Sequence, residues 1–272
     1  MGAAPNVRLT LSSRAENVLL VRQALSGLAE AVGLDAVALN DLSTAVTEAA
    51  NNVVLHAYGE GEGPLEVELT SSSSGLDALV ADRGRGIGPR PDAEAISDGI
   101  GLPVIQALSD RVEFRERPGG GSEVAMHFAL EQTRPLDGLA RLESSGPSGP
   151  GPQAILLALA PAEAARTVLP RVLSTLAVRA HFTTDRITDL QLLADALVAE
   201  LGTDGGGLLL ELGVAPRNLE LQVDRVPEGR ARALLERSGP DGFGSLIARL
   251  SDEQTIRGSG PLQSLRLRVA QA

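Results

Sequence analysis

The first part of the chain alternates between hydrophobic patterns of strand and helix period. Residues 7–11 predict a strand from their alternating Val and Leu positions. Apolar residues then recur at helical spacing over residues 15–32, where Gly33 follows as a stop signal, and a second long helix is predicted at about 35–57. Residues 65–69 and 76–81 alternate as a hairpin around the turn SSSSG.

Glycine and proline then interrupt the pattern over residues 82–92, which we interpret as a loop. A helix is predicted from Gly101 to about residue 109, and two strands, 112–115 and 123–130, flank the turn PGGGS. This order of elements predicts an α/β two-layer sandwich, in which a mixed sheet carries helices on one face.

The same order recurs after a Pro/Gly/Ser-rich segment that is typical of a flexible linker. LSGLA ending at Ala29 matches LSTLA ending at Ala177, and LNDL at Asp41 matches ITDL at Asp189, so both pairs lie 148 positions apart. We therefore predict a sandwich duplicated in tandem, with domains at 1–131 and 153–272 and a linker at 132–152. Two unrelated α/β domains are the alternative.

Composition removes several classes of function. The net charge of −11 and the 2% aromatic content disfavour a nucleic-acid binder. The chain has no Cys and no Lys, which excludes thiolate chemistry and the lysine-dependent phosphate loops. Neither a signal peptide nor a membrane span is indicated, so we expect a soluble, cytoplasmic protein that does not contact membranes.

Candidate chemistry begins on the second helix. Glu48, Asn52 and His56 are spaced i, i+4, i+8 and are predicted to share one face. A carboxylate and a carboxamide one turn apart suit a magnesium–nucleotide site, because an amide oxygen is a hard, neutral ligand and a carboxylate can polarise a hydroxyl. We assign little weight to His56, and we expect the neighbouring Asn51 to face away.

Three further segments complete the pattern. Asp82 ends a strand and precedes closely spaced glycines, so its carboxylate can accept a hydrogen bond from an adenine amino group. Gly99 and Gly101 open a helix whose amides favour phosphate. The string PGGGSEV forms a glycine turn into the last strand.

Together, these four segments resemble the N box and glycine boxes of the GHKL ATPases. The pattern E-A-x-x-N-x-x-x-H-x-Y from Glu48 to Tyr58 is similar to the branch of anti-sigma-factor serine kinases, over about residues 6–130. The resemblance implies ATP and Mg²⁺ as cofactors, Glu48 as general base, Asn52 as magnesium ligand and Asp82 as adenine acceptor. It also implies that the following residues contact the nucleotide: Gly84, Gly86, Ile87, Gly99, Ile100, Gly101, Leu102, Gly121 and Ser122.

The second copy departs from this pattern. The 148-residue offset places Ala196 at the position of Glu48 and Glu200 at that of Asn52. In the string DRVPE, Asp224 is retained but the glycines are lost, whereas DGFG at 241–244 persists. We therefore expect the second copy to be catalytically inactive and free of nucleotide.

These observations predict an ATP-dependent serine-protein kinase that phosphorylates a small anti-sigma antagonist protein, or sequesters a sigma factor, or both. The alternatives are a non-catalytic, ATP-gated protein-binding module and a histidine-kinase-like ATPase domain. In the kinases that the chain resembles, two subunits grip one sigma factor, so a fused active and inactive pair predicts a monomer that mimics that dimer. A homodimer is the alternative.

Overall fold

A computed structural model describes residues 4–85, 101–130, 134–139, 154–202, 207–236, 245–258 and 260–271. The chain forms two compact units, Met1–Gly138 and Leu139–Ala272, here called the first and second units. Their boundary falls inside the segment predicted as a linker. Most of that segment, residues 132–133 and 140–152, lies outside the described residues.

The first unit consists of one sheet and the helices packed on it. Its elements in chain order are β1 (Val7–Ser12), α1 (Ala15–Val32), α2 (Ala36–Asn52), a π-helical turn (Val53–Ala57), β2 (Pro64–Ser72), β3 (Gly75–Asp82), α3 (Gly101–Leu108), β4 (Arg111–Glu116) and β5 (Ser122–Ala129). The strands lie in the order β4-β5-β3-β2-β1.

Every strand pairing among the described residues of this unit is antiparallel, so the prediction of a mixed sheet is wrong. The connections give the reason. The pairs β2–β3 and β4–β5 are hairpins, and α1 and α2 return the chain to the end of the sheet where β1 finishes. Ser12 at the end of β1 is consequently paired with Pro64 at the start of β2.

The core of the first unit lies between the helices and one face of the sheet. Alternate residues of β1 (Val7, Leu9 and Leu11) are at most 1% exposed, as the sequence pattern predicts. Helix α1 packs on β1 and β2, and α2 packs on β3. The opposite face carries ion pairs such as Arg8–Glu68, 2.7 Å apart, whose partners are about one-third exposed and contribute little to stability.

The ends of the first two helices follow the local sequence. Helix α1 ends at Gly33, whose φ of +79° is the left-handed conformation that glycine adopts readily. Asp35 caps the start of helix α2, because its carboxylate accepts hydrogen bonds from the backbone N–H groups of Val37 and Ala38 at 2.9 and 2.8 Å.

The end of α2 differs from the prediction. The α-helix stops at Asn52 and the chain continues as a π-helical turn through Ala57, rather than as one helix to residue 57. Glu48 and Asn52 remain one α-turn apart, whereas His56 lies in the wider turn. The α-helical period assumed for His56 ends before it, and a face shared by all three side chains stays a prediction.

The second unit repeats the order of the first. Its elements are β6 (Ile155–Leu159), α4 (Ala162–Arg179), α5 (Thr184–Leu201), β7 (Leu208–Ala215), β8 (Asn218–Pro227), α6 (Arg230–Glu236), α7 (Leu246–Leu250), β9 (Glu253–Arg257) and β10 (Leu262–Ala270). The antiparallel strand order β6-β7-β8-β10-β9 follows the same scheme. Helix α6 occupies part of a predicted loop.

Burial on the second helix of each unit follows the same register. The buried residues of α2 are Leu42, Ala45, Val46, Ala49 and Ala50. Those of α5 are Leu190, Leu193, Ala194, Leu197 and Val198, each 148 positions further on. The offset used to compare the two units by sequence therefore also aligns the core-facing positions of these helices. Within the described ranges, no helix is long and apolar enough to cross a membrane.

Candidate functional site

Asp82 is the centre of a buried polar cluster at the end of β3. Its side chain lies on the helix-covered face of the sheet, and the residue is only 2% exposed. The backbone N–H of Gly84 donates to Oδ1 at 2.7 Å, and the backbone N–H of Ser122 donates to Oδ2 at 3.2 Å. The Ser122 hydroxyl also donates to Oδ2. These donors hold the carboxylate in one orientation and offset the cost of burying it.

Two glycines allow the backbone to close around this carboxylate. A β-carbon at Gly84 would lie 2.1 Å from the carbonyl oxygen of Ala57, and one at Gly121 would lie 2.1 Å from the carbonyl oxygen of Asp82. Gly121 also has a φ of +96°. We call Asp82, Gly84, Gly121 and Ser122 the Asp82 cluster. The structure brings together these four residues, which the sequence placed in two separate segments.

Glu48 lies against the first turn of α3. A β-carbon at Gly101 would lie 2.4 Å from Oε1 of Glu48, so the absence of a side chain at Gly101 leaves room for the carboxylate. Glu48 is half-buried, and its neighbour Ala49 faces the core. The contact of Glu48 with Gly101 joins the first and third of the four sequence segments.

Asn52 occupies the last position of α2, one turn beyond Glu48, and is half-buried. Its carboxamide carries both donors and an acceptor oxygen that is suited to a hard cation. Asn51 is also half-buried, so burial does not separate the two asparagines. The helical spacing from Glu48 distinguishes Asn52. Across the described ranges, no three His, Asp or Glu side chains converge as a metal site.

Tyr58 links the end of the π-helical turn to the strand that carries Asp82. Its hydroxyl donates to the carbonyl oxygen of Pro64 at 2.6 Å and accepts from the backbone N–H of Arg83 at 2.8 Å. Burial is the main cause that raises the pKa of Tyr58, and the charges of Asp82 and Glu66 add to it. The Arg83 N–H opposes this rise because it favours the ionised form.

Sequence reasoning gave Tyr58 no role, although it is part of the E-A-x-x-N-x-x-x-H-x-Y pattern. The available signal is composition, because Tyr58 is the only tyrosine of a chain without tryptophan. A second feature that the sequence pattern did not indicate is Glu66, whose carboxylate accepts hydrogen bonds from the guanidinium groups of Arg83 and Arg117, each at 2.9 Å. Arg117 belongs to the turn that carries Gly121, so Glu66 ties that turn to β2.

Of the remaining predicted site residues, one is described and four are not. Leu102 is described and is 45% exposed on α3. Gly86, Ile87, Gly99 and Ile100 lie outside the described residues. The described site residues therefore form two groups, with the Asp82 cluster at one end of β3 and Glu48 against Gly101 on α2 and α3. Ala57, at the end of the turn that follows Asn52, packs on Gly84 of the Asp82 cluster, and the next residue, Tyr58, accepts a hydrogen bond from the backbone N–H of Arg83.

The second unit has a different arrangement at the corresponding helix. Ala196 and Glu200 stand 148 positions after Glu48 and Asn52. Arg230 donates to the Glu200 carbonyl oxygen at 2.8 Å and lies 3.8 Å from its carboxylate. The end of α5 therefore carries a carboxylate beside a guanidinium group of the same unit. The segment DGFG lies outside the described residues.

Asp224 does not reproduce Asp82. It is paired with Leu209 and lies on the strand face opposite to that of the buried Val223, where it accepts from Gln222 at 3.0 Å and Ser264 at 2.6 Å. Asp82, in contrast, shares the buried face of Val80. The string DR matches in the two units, but the pleat directs the two carboxylates to opposite faces. The correspondence drawn from the sequence is therefore wrong.

Comparison with known proteins agrees with the geometry of the first unit. Residues 11–128 match the histidine kinase-like ATPase domain. The serine-protein kinase RsbW of Halalkalibacterium halodurans is 32% identical over 126 residues, which cover 42% of this chain and 77% of that protein. RsbW of Bacillus licheniformis is 30% identical over 150 residues, covering 50% of this chain and 92% of that protein.

RsbW of Bacillus thuringiensis strain Al Hakam is 27% identical over 139 residues, covering 46% of this chain and 87% of that protein. These matches thus span most of each relative but half or less of this chain. The match over residues 11–128 contains the Asp82 cluster, Glu48 and Asn52. By this match, and by its identity to the RsbW kinases, the chain belongs to the family of proteins with a histidine kinase-like ATPase domain.

Proposed function

We propose that the first unit binds Mg-ATP and transfers the terminal phosphoryl group to a serine of a partner protein. The observation that carries the proposal is the buried Asp82 carboxylate, fixed by Gly84 and Ser122 at the end of β3, in the same unit as the Glu48–Gly101 contact. A rigid, buried acceptor suits the amino edge of adenine, and the Glu48 carboxylate beside the first turn of α3 suits the phosphoryl end.

The residues present fit the nucleotide and its metal. Gly84 and Gly121 are positions that a β-carbon would fill, so the backbone there lies close to Asp82 and Ala57. The Asn52 carboxamide would supply one hard oxygen ligand to Mg²⁺, whose other ligands are ordinarily waters and substrate phosphates. When bound, Mg²⁺ would neutralise the charge on the phosphates. Glu48, Asn52 and Asp82 would then act as base, metal ligand and adenine acceptor.

In the proposed transfer, the serine oxygen forms a bond to the terminal phosphorus as the bond from that phosphorus to the bridging oxygen of ADP breaks. Glu48 accepts the serine proton, for which its half-buried position against Gly101 is suited. Ile87, Gly86, Gly99, Ile100 and Leu102 are proposed to contact the nucleotide on the strength of the sequence pattern. The proposed partner is a small anti-sigma antagonist or a sigma factor, as the resemblance to anti-sigma-factor serine kinases implies.

We further propose that the second unit is a degenerate copy of the first that binds no nucleotide. The shared element order, strand order and helix burial register support a common origin. Ala196 cannot act as a base, and Arg230 already supplies a positive group beside Glu200. In this proposal one chain replaces a pair of subunits, so the protein is a monomer, which light scattering would test. A stable dimer formed by the first unit alone would contradict it.

Calorimetric titration with Mg-ATP tests the nucleotide site. The expected result is one site per chain, lost in Asn52→Ala and retained in Glu48→Gln. Asn51→Ala is the matched control, because it removes the adjacent carboxamide from the same helix. Two sites per chain would contradict the assignment of the second unit, and the absence of binding by a folded sample would refute the proposed function.

Transfer of labelled phosphate from ATP to a serine of a candidate antagonist protein then tests the chemistry. Loss of transfer in Glu48→Gln, with binding intact, is the result expected for a kinase. An ATP-gated binding module would instead retain its full partner binding in that variant and produce no phosphoserine. Acid-labile phosphohistidine on the partner would indicate a histidine-kinase-like domain.

A further inference from the structure

The segment after Asn52 and the segment after Asp82 hold each other through three contacts. The Tyr58 hydroxyl accepts from the Arg83 N–H at 2.8 Å, and the carbonyl oxygen of Ala57 accepts from the Arg85 N–H at 2.9 Å. Gly84 packs so closely on Ala57 that a β-carbon would lie 2.1 Å from its carbonyl oxygen. We call residues 57–58 and 83–85 the clasp.

The Tyr58 ring is itself fixed on other sides. Its hydroxyl donates to the Pro64 carbonyl oxygen at 2.6 Å, at the start of β2. A β-carbon at Gly63 would lie 2.1 Å from a ring carbon, so the glycine packs directly on the aromatic ring. A hydroxyl with both a donor and an acceptor partner, on a ring packed in place, has little freedom to move. Tyr58 therefore sets where the backbone directly after Asp82 can lie.

The π-helical turn extends this connection to Asn52. Asn52 ends α2, the turn Val53–Ala57 follows it without interruption, and Tyr58 comes next. Single π-turns inside or after α-helices occur frequently at functional sites because they redirect the chain locally. Here the turn delivers Ala57 and Tyr58 to residues 83–85. The helix end that carries Asn52 and the strand end that carries Asp82 are thus joined over a short path.

We propose that Tyr58 is a positioning residue for nucleotide binding, which holds the Asp82 end of the site at a fixed place relative to Asn52. This inference rests on the proposed function, because it assigns the two ends to the adenine and the magnesium–phosphate parts of one ligand. In this proposal Tyr58 contacts neither part. It acts through Arg83 on Asp82 and through the π-helical turn on Asn52.

Ionisation of Tyr58 can be followed separately from that of the other side chains. The chain has no cysteine, no lysine and one tyrosine, so Tyr58 is the only side chain that titrates between the ranges of histidine and arginine. The charged groups around it are Asp82, Glu66 and Arg83. Above its pKa the hydroxyl loses the proton that it donates to Pro64, and the tyrosinate charge repels the two carboxylates. The clasp should then loosen, and tyrosinate absorbance reports this ionisation directly.

The experiment is calorimetric titration of the full chain with Mg-ATP, for the wild type, Tyr58→Phe and the control Thr44→Val. Thr44 lies on α2, before the π-helical turn, and its hydroxyl donates to the carbonyl oxygen of Asn40 on the same helix at 2.8 Å. Tyr58→Phe keeps the ring and removes two hydrogen bonds, so the Kd for Mg-ATP is expected to rise roughly five- to tenfold. Thr44→Val is expected to bind as the wild type does.

The pH profile separates positioning from a merely structural role. In the wild type, the affinity for Mg-ATP is expected to fall in step with the appearance of tyrosinate absorbance, and in Tyr58→Phe the affinity is expected to be low at every pH and flat through that range. Equal affinities of wild type and Tyr58→Phe would overturn the inference and leave the proposed function intact. Failure of the folded wild type to bind Mg-ATP would overturn both.

Discussion

The turn between β4 and β5 offers a direct test of how closely the Asp82 cluster is packed. Gly119 and Gly121 have nearly the same positive φ, +92° and +96°. Their surroundings differ, since a β-carbon at Gly119 meets nothing within 4 Å and one at Gly121 would lie 2.1 Å from the carbonyl oxygen of Asp82. Alanine at the two positions therefore separates the cost of the contact from the cost of the backbone conformation.

The magnitudes follow from these two terms. A left-handed conformation costs an L-residue about 1–2 kcal/mol, and this applies to both variants. At Gly121 the new methyl group must also displace the backbone of Asp82 and Arg83, and overpacking of this kind costs about 1–3 kcal/mol. Gly119→Ala should thus lower the free energy of unfolding of the first unit by about 1–2 kcal/mol, and Gly121→Ala by about 2–5 kcal/mol.

Urea unfolding followed by tyrosine fluorescence measures this difference. Since Tyr58 is the only tyrosine and the chain has no tryptophan, the signal reports the first unit even if the second unfolds separately. Mg-ATP affinity is expected to fall about tenfold or more in Gly121→Ala, because Asp82 moves, and to stay near the wild-type value in Gly119→Ala. Equal losses of stability in the two variants would refute the packing argument.

Three further predictions concern the site. Glu48→Gln should reduce phosphoryl transfer at least about 100-fold with Mg-ATP binding kept, because a carboxamide cannot accept the serine proton; retained transfer in a labelled-phosphate assay would exclude Glu48 as the base. Asp82→Asn should weaken Mg-ATP binding about 10- to 100-fold in calorimetry, since the amide loses an acceptor and faces the Ser122 and Gly84 donors; Asp77→Asn on the same strand is the control. The raised pKa of Tyr58 means that the folded state favours the neutral hydroxyl. The contribution of the neutral Tyr58 hydroxyl to the free energy of unfolding should be complete below about pH 10 and be lost as pH rises through the folded-state pKa. Urea unfolding of Tyr58→Phe should not show this loss.

Local pattern was sufficient for several elements. The periodicity over residues 15–32 and the following Gly33 gave α1 its bounds, because a glycine in the left-handed conformation is a strong local end to a helix. The alternation over 7–11 gave β1 and its buried face. The π-helical turn was beyond such reasoning, since Val53–Ala57 keeps an apolar helical composition and only its packing against β3 and the loop after Asp82 distinguishes it from an α-helix.

For the motif residues, too, local sequence was sufficient for some features and tertiary packing decided others. Asp82, Gly84, Gly121 and Ser122 could be selected from sequence, but their mutual hydrogen bonds depend on β5 lying beside β3. The antiparallel sheet, too, was decided by how hairpins and helix pairs return the chain. Asp224 also shows the limit of the sequence comparison. The dipeptide Asp-Arg occurs in both units, but it does not determine on which face of the strand the carboxylate lies.

By itself, the sequence determined which residue types stand at which short-range spacing, since these are properties of the chain alone. Glu48 and Asn52 are four positions apart in the sequence, which is one turn of a helix. The net charge disfavours nucleic-acid binding, and the absence of Cys and Lys excludes thiolate chemistry and the lysine-dependent phosphate loops. Only the tertiary structure decided that Tyr58 joins the helix end to the strand end, and that Asp82 is buried with its donors already in place. Tyr58 and Arg83 are 25 positions apart in the sequence, and Asp82 and Ser122 are 40 positions apart. Residues so distant along the chain come into contact only when the sheet and helices pack.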